Sequence, residues 1–156
     1  DAIICDFPDP STPDLAKLFS LELYGRLRSR LRPGGVVAVQ AGSPYTMRSA
    51  YWSVRDTLEA AGFSVRSLHA HVPTFGEWGW HVAQVGRLPT FGALPEMPLR
   101  YLNDQVVEAA QVFPPNIDSP GGEARVSTRL DPWVMRLYQR GEPVEGRPLF
   151  PQTTDR

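Results

Sequence analysis

Short apolar runs recur along the first half of the chain with helical segments between them. No other feature restricts the fold as much. The runs are Ala2-Ile3-Ile4-Cys5, "VVAVQA" at 36–41, "FSVRSLHAHV" at 63–72 and "GWHVAQVG" at 79–86. Between the first two, Leu15, Phe19, Leu23, Leu27 and Leu31 recur every four residues, which puts them on one face of an amphipathic helix. Ser20 is the expected N-cap of its main body, and Arg32-Pro33-Gly34-Gly35 its end. Met47, Tyr51, Val54 and Leu58 mark a second helix, with Thr46 as its expected cap and Gly62 as its stop. The order β-α-β-α-β-β predicts an α/β fold with a mostly parallel sheet and right-handed crossovers. The segment "PTFGEW" at 73–78 is too short for a crossover, so the last strand is expected to run antiparallel.

The second half is different. Residues 1–87 carry the sheet; residues 88–156 read as a Pro-rich extension with one or two helices packing on it. Prolines recur there at 89, 95, 98, 114, 115, 120, 132, 143, 148 and 151. One helix is expected over 101–112 and a short one from Pro132 to Gln139, with a mobile loop at 114–123. A length of 156 residues suffices for one domain with a sizeable core. The net charge of −1 argues against a nucleic-acid partner or anionic lipid. Cys5 is the only cysteine, which rules out an intrachain disulfide and suits a reducing, cytoplasmic setting. No apolar run approaches the ~20 residues needed to span a bilayer.

The chain opens within a strand that is apolar on both faces, as strands covered on both faces are. The expectation is therefore a fragment whose upstream strands are missing. Its 1–6 edge would be unpaired and apolar, which predicts self-association as a two-fold dimer.

Ligands of such a sheet bind at the carboxyl ends of its strands, where Asp6 and Gln40 converge. Asp6 opens "DFPDPSTPDL", with Asp9 three residues on and prolines stiffening the segment. Solvation and helix capping would account for such acids. A carboxylate at the ligand edge is nonetheless costly without partners or work. Two acids there suit a cationic substrate, and one could accept the proton of an attacking amine. Gln40 either bonds substrate or closes its strand. Glu77 and Trp78 read as loop residues that close over an amine, Trp78 adding cation–π attraction, or else as a solvated acid and a core ring. His69 and His71 share a strand face, but nothing nearby completes a metal site, so none is expected. Gly34-Gly35 precedes a strand, which makes it a helix stop and not a phosphate loop.

Several of these stretches, in this order, resemble the spermidine synthases, the polyamine aminopropyltransferases. "DFPDPSTPDLAKLFSLELY" resembles that family's D-x-x-D-P segment, and "LRPGGVVAVQAGSP" the strand that follows it. "HVPTFGEWGWHVA" is similar to the late loop and strand of the bacterial branch fused to a membrane domain, and "LRYLNDQVVEAAQVFPP" to the terminal helix. The resemblance covers roughly residues 1–117 and implies the C-terminal half of a Rossmann-like, methyltransferase-type fold. It implies transfer of a propylamine group from decarboxylated S-adenosylmethionine to a diamine such as putrescine, with no prosthetic group and with methylthioadenosine released. By motif match, Asp6 would be the proton acceptor, Asp6-Phe7-Pro8-Asp9 would line the amine site, and Pro13 would lie against the nucleoside. It also implies a homo-oligomer and a parent that carries a membrane domain.

The chain departs from the family pattern at Phe7 and Pro8, where small polar residues are usual, and at Ser11 and Thr12. It also departs at Phe75, where many members carry Tyr. Without the family's first strands and glycine-rich nucleotide loop, the chain alone is expected to be inactive. Two alternatives stay open: a small-molecule methyltransferase, and a non-catalytic dimerisation or regulatory domain of the same fold.

Overall fold

A computed structural model describes residues 1–141. The prolines at 143, 148 and 151 and the end of the expected extension lie outside the described residues. The strands are β1 (Ala2–Cys5), β2 (Val36–Gly42), β3 (Ser64–Val72) and β4 (Gly76–Gln84), and they form one sheet in the order β1-β2-β4-β3. β1 and β2 pair in parallel, with Cys5 opposite Val39. β4 lies between β2 and β3 and is antiparallel to both, so β1, β2 and β3 share one direction. The sheet is the expected mixed α/β one, with its antiparallel strand inserted at the centre.

The leucine ladder is broken in two at Ser20. Thr12 caps α1 (Pro13–Ala16) by accepting from the Leu15 amide at 3.3 Å, and a 3-10 turn over Lys17–Phe19 follows. Ser20 is extended and fully buried; its hydroxyl donates to the Lys17 carbonyl at 2.8 Å and accepts from the Leu23 amide at 3.3 Å. One residue thus closes the turn and caps α2 (Leu21–Arg30). Gly34, at φ +81°, turns the chain into β2 as expected of a helix stop.

α3 (Arg48–Ala60) begins differently from the expectation. Thr46 does not cap it: Met47 holds the cap position without a side-chain bond. The upstream turn is instead tied by Ser43, whose hydroxyl accepts from the amides of Tyr45 and Thr46 at 3.2 Å each. Gly62 at φ +88° ends the helix.

Alternation along the strands gives the sheet two unlike faces. Val37, Val39, Val65 and Ala83 point at the helices and join Phe19, Tyr24, Val54, Leu58 and Val134 in the core. Ile4, on the other face of β1, is 80% exposed.

Beyond residue 88, helix is scarcer than expected. The 101–112 segment is helical only as α4 (Asp104–Ala109), capped by Asn103, and α5 (Trp133–Arg140) follows. The 114–118 part of the expected mobile loop is anchored. Arg48 donates to the carbonyls of Asp118 (2.6 Å) and Pro115 (3.2 Å), Trp52 Nε1 donates to that of Ile117 (3.0 Å), and Ile117 is buried.

Candidate active site

A cavity of about 330 Å³ opens on the face of the sheet opposite α3, at the carboxyl ends of β1 and β2. Asp6 stands at its mouth, one residue past β1, and its carboxylate has no hydrogen bond or ion pair among the described residues. Trp78, Trp80 and Val72 line it from β4 and β3, with Phe75 at the tip of their hairpin, Ala38 and Gln40 from β2, and Ile4 and Cys5 from β1. The Phe75 and Trp78 rings lie 5.3 Å apart, centroid to centroid. The result is a free anion beside a wall of aromatic faces, a combination that attracts an organic cation by charge and by ring quadrupole. Burial raises the pKa of the Cys5 thiol, so it is no thiolate nucleophile.

Gln40 holds this arrangement together. With its amide oriented to satisfy both neighbours, its nitrogen donates to the Phe7 carbonyl at 3.0 Å and its oxygen accepts from Trp78 Nε1 at 2.9 Å. It therefore ties the acidic loop to β4, and the Phe7 ring packs edge-on against Phe19, 6.0 Å away. The two aspartates part company here. Asp9 lines a separate, nearly closed space of about 10 Å³ with Pro10, Phe19, Gly42, Val134 and Tyr138, and Gln40 lines both cavities. Asp9 Oδ2 accepts from the Tyr138 hydroxyl at 3.1 Å. Pro8 is exposed, and Pro13 is exposed at the first position of α1; neither lines either cavity.

The 73–78 stretch is not one loop. β4 begins at Gly76, so Glu77 and Trp78 are strand neighbours and point to opposite faces. Trp78 enters the Asp6 cavity. Glu77 leaves on the helix side: His69 Nδ1 lies 2.9 Å from its Oε1, and His71 Nδ1 is 3.9 Å from its Oε2. The His69 Nε2 lies 2.7 Å from the Val112 carbonyl, and its ring packs 4.5 Å from that of Phe113. His69 thus joins the β3–β4 hairpin to the segment after α4, with Glu77 at its other ring nitrogen. Among the described residues, no group of three or more His, Cys, Asp or Glu side chains could hold a metal.

Behind the cavity the sheet is closed by α3. Tyr51 lies against Gly79 so closely that a Cβ there would stand 2.3 Å from its ring, and its hydroxyl reaches the carbonyls of Leu68 (3.1 Å) and Trp80 (3.3 Å). Burial pushes the Tyr51 phenol far up, despite opposing bonds to Ser67 and Leu68. His81 is fully buried, and desolvation pulls it down to about 3. Its Nε2 donates to the Tyr51 carbonyl at 2.9 Å, which leaves Nδ1 to accept from the Ser67 hydroxyl at 3.0 Å. This neutral network ties the middle of β4 to α3 and β3.

Trp80, Val72 and Tyr138 escaped the sequence reading. Trp80 was accessible to it, since it shares strand parity with Trp78 in "EWGWHVA". Nothing in the sequence joins Tyr138 to Asp9, 129 positions away.

Comparison with known proteins bears on what this arrangement serves. The sequence model of the spermine/spermidine synthase domain matches residues 1–91. Polyamine aminopropyltransferase 1 of Streptomyces coelicolor is 43% identical over 141 residues, 89% of this chain and 26% of its own length. The polyamine aminopropyltransferase of Mycobacterium tuberculosis is 44% identical over 134 residues, 85% of this chain and 24% of its own. That of Oceanobacillus iheyensis is 33% identical over 144 residues, 90% and 28%. The chain spans about a quarter of the length of the curated relatives it matches.

Proposed function

The chain belongs to the spermine/spermidine synthase family, and from that premise we propose that it carries the acceptor-amine side of a polyamine aminopropyltransferase active site. One observation carries this reading: the free Asp6 carboxylate at the mouth of an aromatic-walled cavity. The co-substrate is decarboxylated S-adenosylmethionine, and the acceptor is a diamine such as putrescine. An alkylamine has a pKa of roughly 10.4, like a lysine, so it arrives protonated and without a free lone pair. Asp6 attracts the ammonium, while Trp78, Trp80 and Phe75 exclude water around it and hold it by cation–π attraction.

The nitrogen, once deprotonated, attacks the carbon bound to the sulfonium. The C–N bond forms, the C–S bond breaks, and the bonding pair leaves on sulfur as the neutral thioether methylthioadenosine. Asp6 takes the amine proton. Alignment of nitrogen with carbon supplies much of the remaining acceleration. Asp9 supports the loop that presents Asp6, and Pro13 is assigned to the nucleoside side. Gln40 and Glu77 act by fixing the walls.

The wider assignments are part of the same proposal. Residues 88–156 are assigned to an extension of the catalytic domain, and the protein is assigned as a homo-oligomer. A membrane domain in the same protein belongs to the proposal too, although among the described residues no helix is long and apolar enough to cross a membrane. Methyl transfer is not favoured, because the relatives are named for aminopropyl transfer and a free acid suits a cation better than a neutral acceptor.

The test is turnover by the full-length protein given decarboxylated S-adenosylmethionine and putrescine. Spermidine and methylthioadenosine are expected in equal amounts. Donor consumption without a new C–N bond, or no reaction with any diamine, would sink the proposal.

A further inference from the structure

Two side chains in the last turn of α5 reach across to the acidic loop. The Tyr138 hydroxyl donates to Asp9 Oδ2 at 3.1 Å, and Gln139 Nε2 donates to the Ser11 carbonyl at 3.1 Å. α5 lies outside residues 1–91, which the family's sequence model matches. It is nonetheless fixed to the catalytic half. Val134 is buried in the core, and the guanidinium groups of Arg125 (4.9 Å) and Arg136 (4.2 Å) lie over the Trp133 ring. The strap leading to it is bonded to both long helices. The Ser127 amide donates to Thr57 Oγ1 at 2.9 Å, the Leu21 amide to the Ser127 carbonyl at 2.8 Å, and the Arg125 amide to Asp56 Oδ2 at 2.8 Å.

The Tyr138–Asp9 contact is also tight. The space beside it, about 10 Å³, has room for roughly one water. Burial, then the charge of Asp9 and its hydrogen bond, raise the Tyr138 pKa and keep it a donor. The acidic loop is pinned at three points: Phe7 by Gln40, Asp9 by Tyr138, and Ser11 by Gln139. Pro8 and Pro10 stiffen the chain between them.

We propose that Tyr138 is a positioning residue for the acceptor amine: it holds Asp9, and through the stiffened loop it sets Asp6 against the cavity. This rests on the reading of that cavity as an amine site. It makes the tail, and not the shared family domain alone, a determinant of amine recognition.

The experiment compares the full-length protein with its Tyr138→Phe variant, which keeps the ring and removes the donor. The KM for putrescine is expected to rise about tenfold, the order expected for losing a hydrogen bond to a charged group. The KM for the nucleoside donor should stay within about twofold. On an Asp9→Asn background the same change should add less than about twofold, because the two side chains act as one unit. Calorimetric titration with putrescine gives the same ratio without turnover.

An active wild type with an unchanged putrescine KM in Tyr138→Phe overturns the inference and leaves the proposed function standing. Equal rises in both KM values overturn it too, since they mean general loosening. A wild type that neither binds nor converts putrescine removes the proposed function and the inference together.

Discussion

The two faces of β4 show how one strand serves two ends. Toward α3 it presents Glu77, Gly79, His81 and Ala83, a column in which the polar groups are bonded and the interior ones dry. Toward the open side it presents Trp78, Trp80 and Val82, all partly accessible, and the two indoles line the cavity with Asp6. The usual arrangement of polar outside and apolar inside is locally reversed. A buried histidine and a glycine sit where aliphatic residues are expected, and indoles face the opening. The closed face gains rigidity from this, and the open face gains a surface that a hydrated cation can enter. Replacing residues on one face should therefore change chemistry and leave stability, while the other face should show the opposite.

The largest effect belongs to the open face. Asp6→Asn in the full-length protein is expected to lower kcat about a thousandfold, within the range for a lost general base, with the melting temperature unchanged. A variant with near-normal kcat would make Asp6 a mere strand end. On the closed face, Gly79→Ala drives a methyl group into the Tyr51 ring. Overpacking of this kind should cost on the order of 3 kcal/mol, read from denaturant midpoints. A stable variant would mean that Tyr51 yields easily and that the network is soft.

The mildest effect comes from pH. His81 has a folded pKa of about 3, below its unfolded value near 6.5. Between the two the unfolded chain binds more protons, so its contribution is complete above about pH 6.5 and is lost as pH falls toward 3. Going from pH 7 to pH 5 should remove about 2 kcal/mol of stability. His81→Gln, which can donate and accept in the same directions, should flatten that slope. An equal slope in both proteins would place the titrating group elsewhere.

Periodicity carried the sequence reading as far as contacts local to one element extend. The ladder from Leu15 to Leu31, the cap at Ser20 and the glycine stops at 34 and 62 were legible because each depends on neighbours within a few residues. The α/β class followed from the alternation of strands and helices, and the antiparallel last strand from a short loop. Thr46 misled because a hydroxyl at the right offset is only a candidate, and Ser43 had already bound the amides it would have capped. Glu77 and Trp78 read as loop residues because the apolar run begins at Gly79, whereas pairing to β3 extends the strand back to Gly76. Asp9 was harder still. Its proximity to Asp6 in sequence suggested a shared pocket, but past Pro8 the chain turns it toward a helix that only the folded chain brings near.

The insertion of β4 between β2 and β3 also bears on how the fold is assembled. β2 is complete by residue 42, yet its second neighbour among the described strands ends at residue 84, so an inner strand is the last of the four to be synthesised. Until then β1 can pair with β2, but β3 has none of the described strands to join. The hairpin must close and slot into the gap as a unit, a non-local step that slows folding and exposes two strand edges during synthesis. The aromatic wall of the cavity arrives with that same hairpin. A ribosome that stalls before residue 84 would release the acid without the surface that faces it.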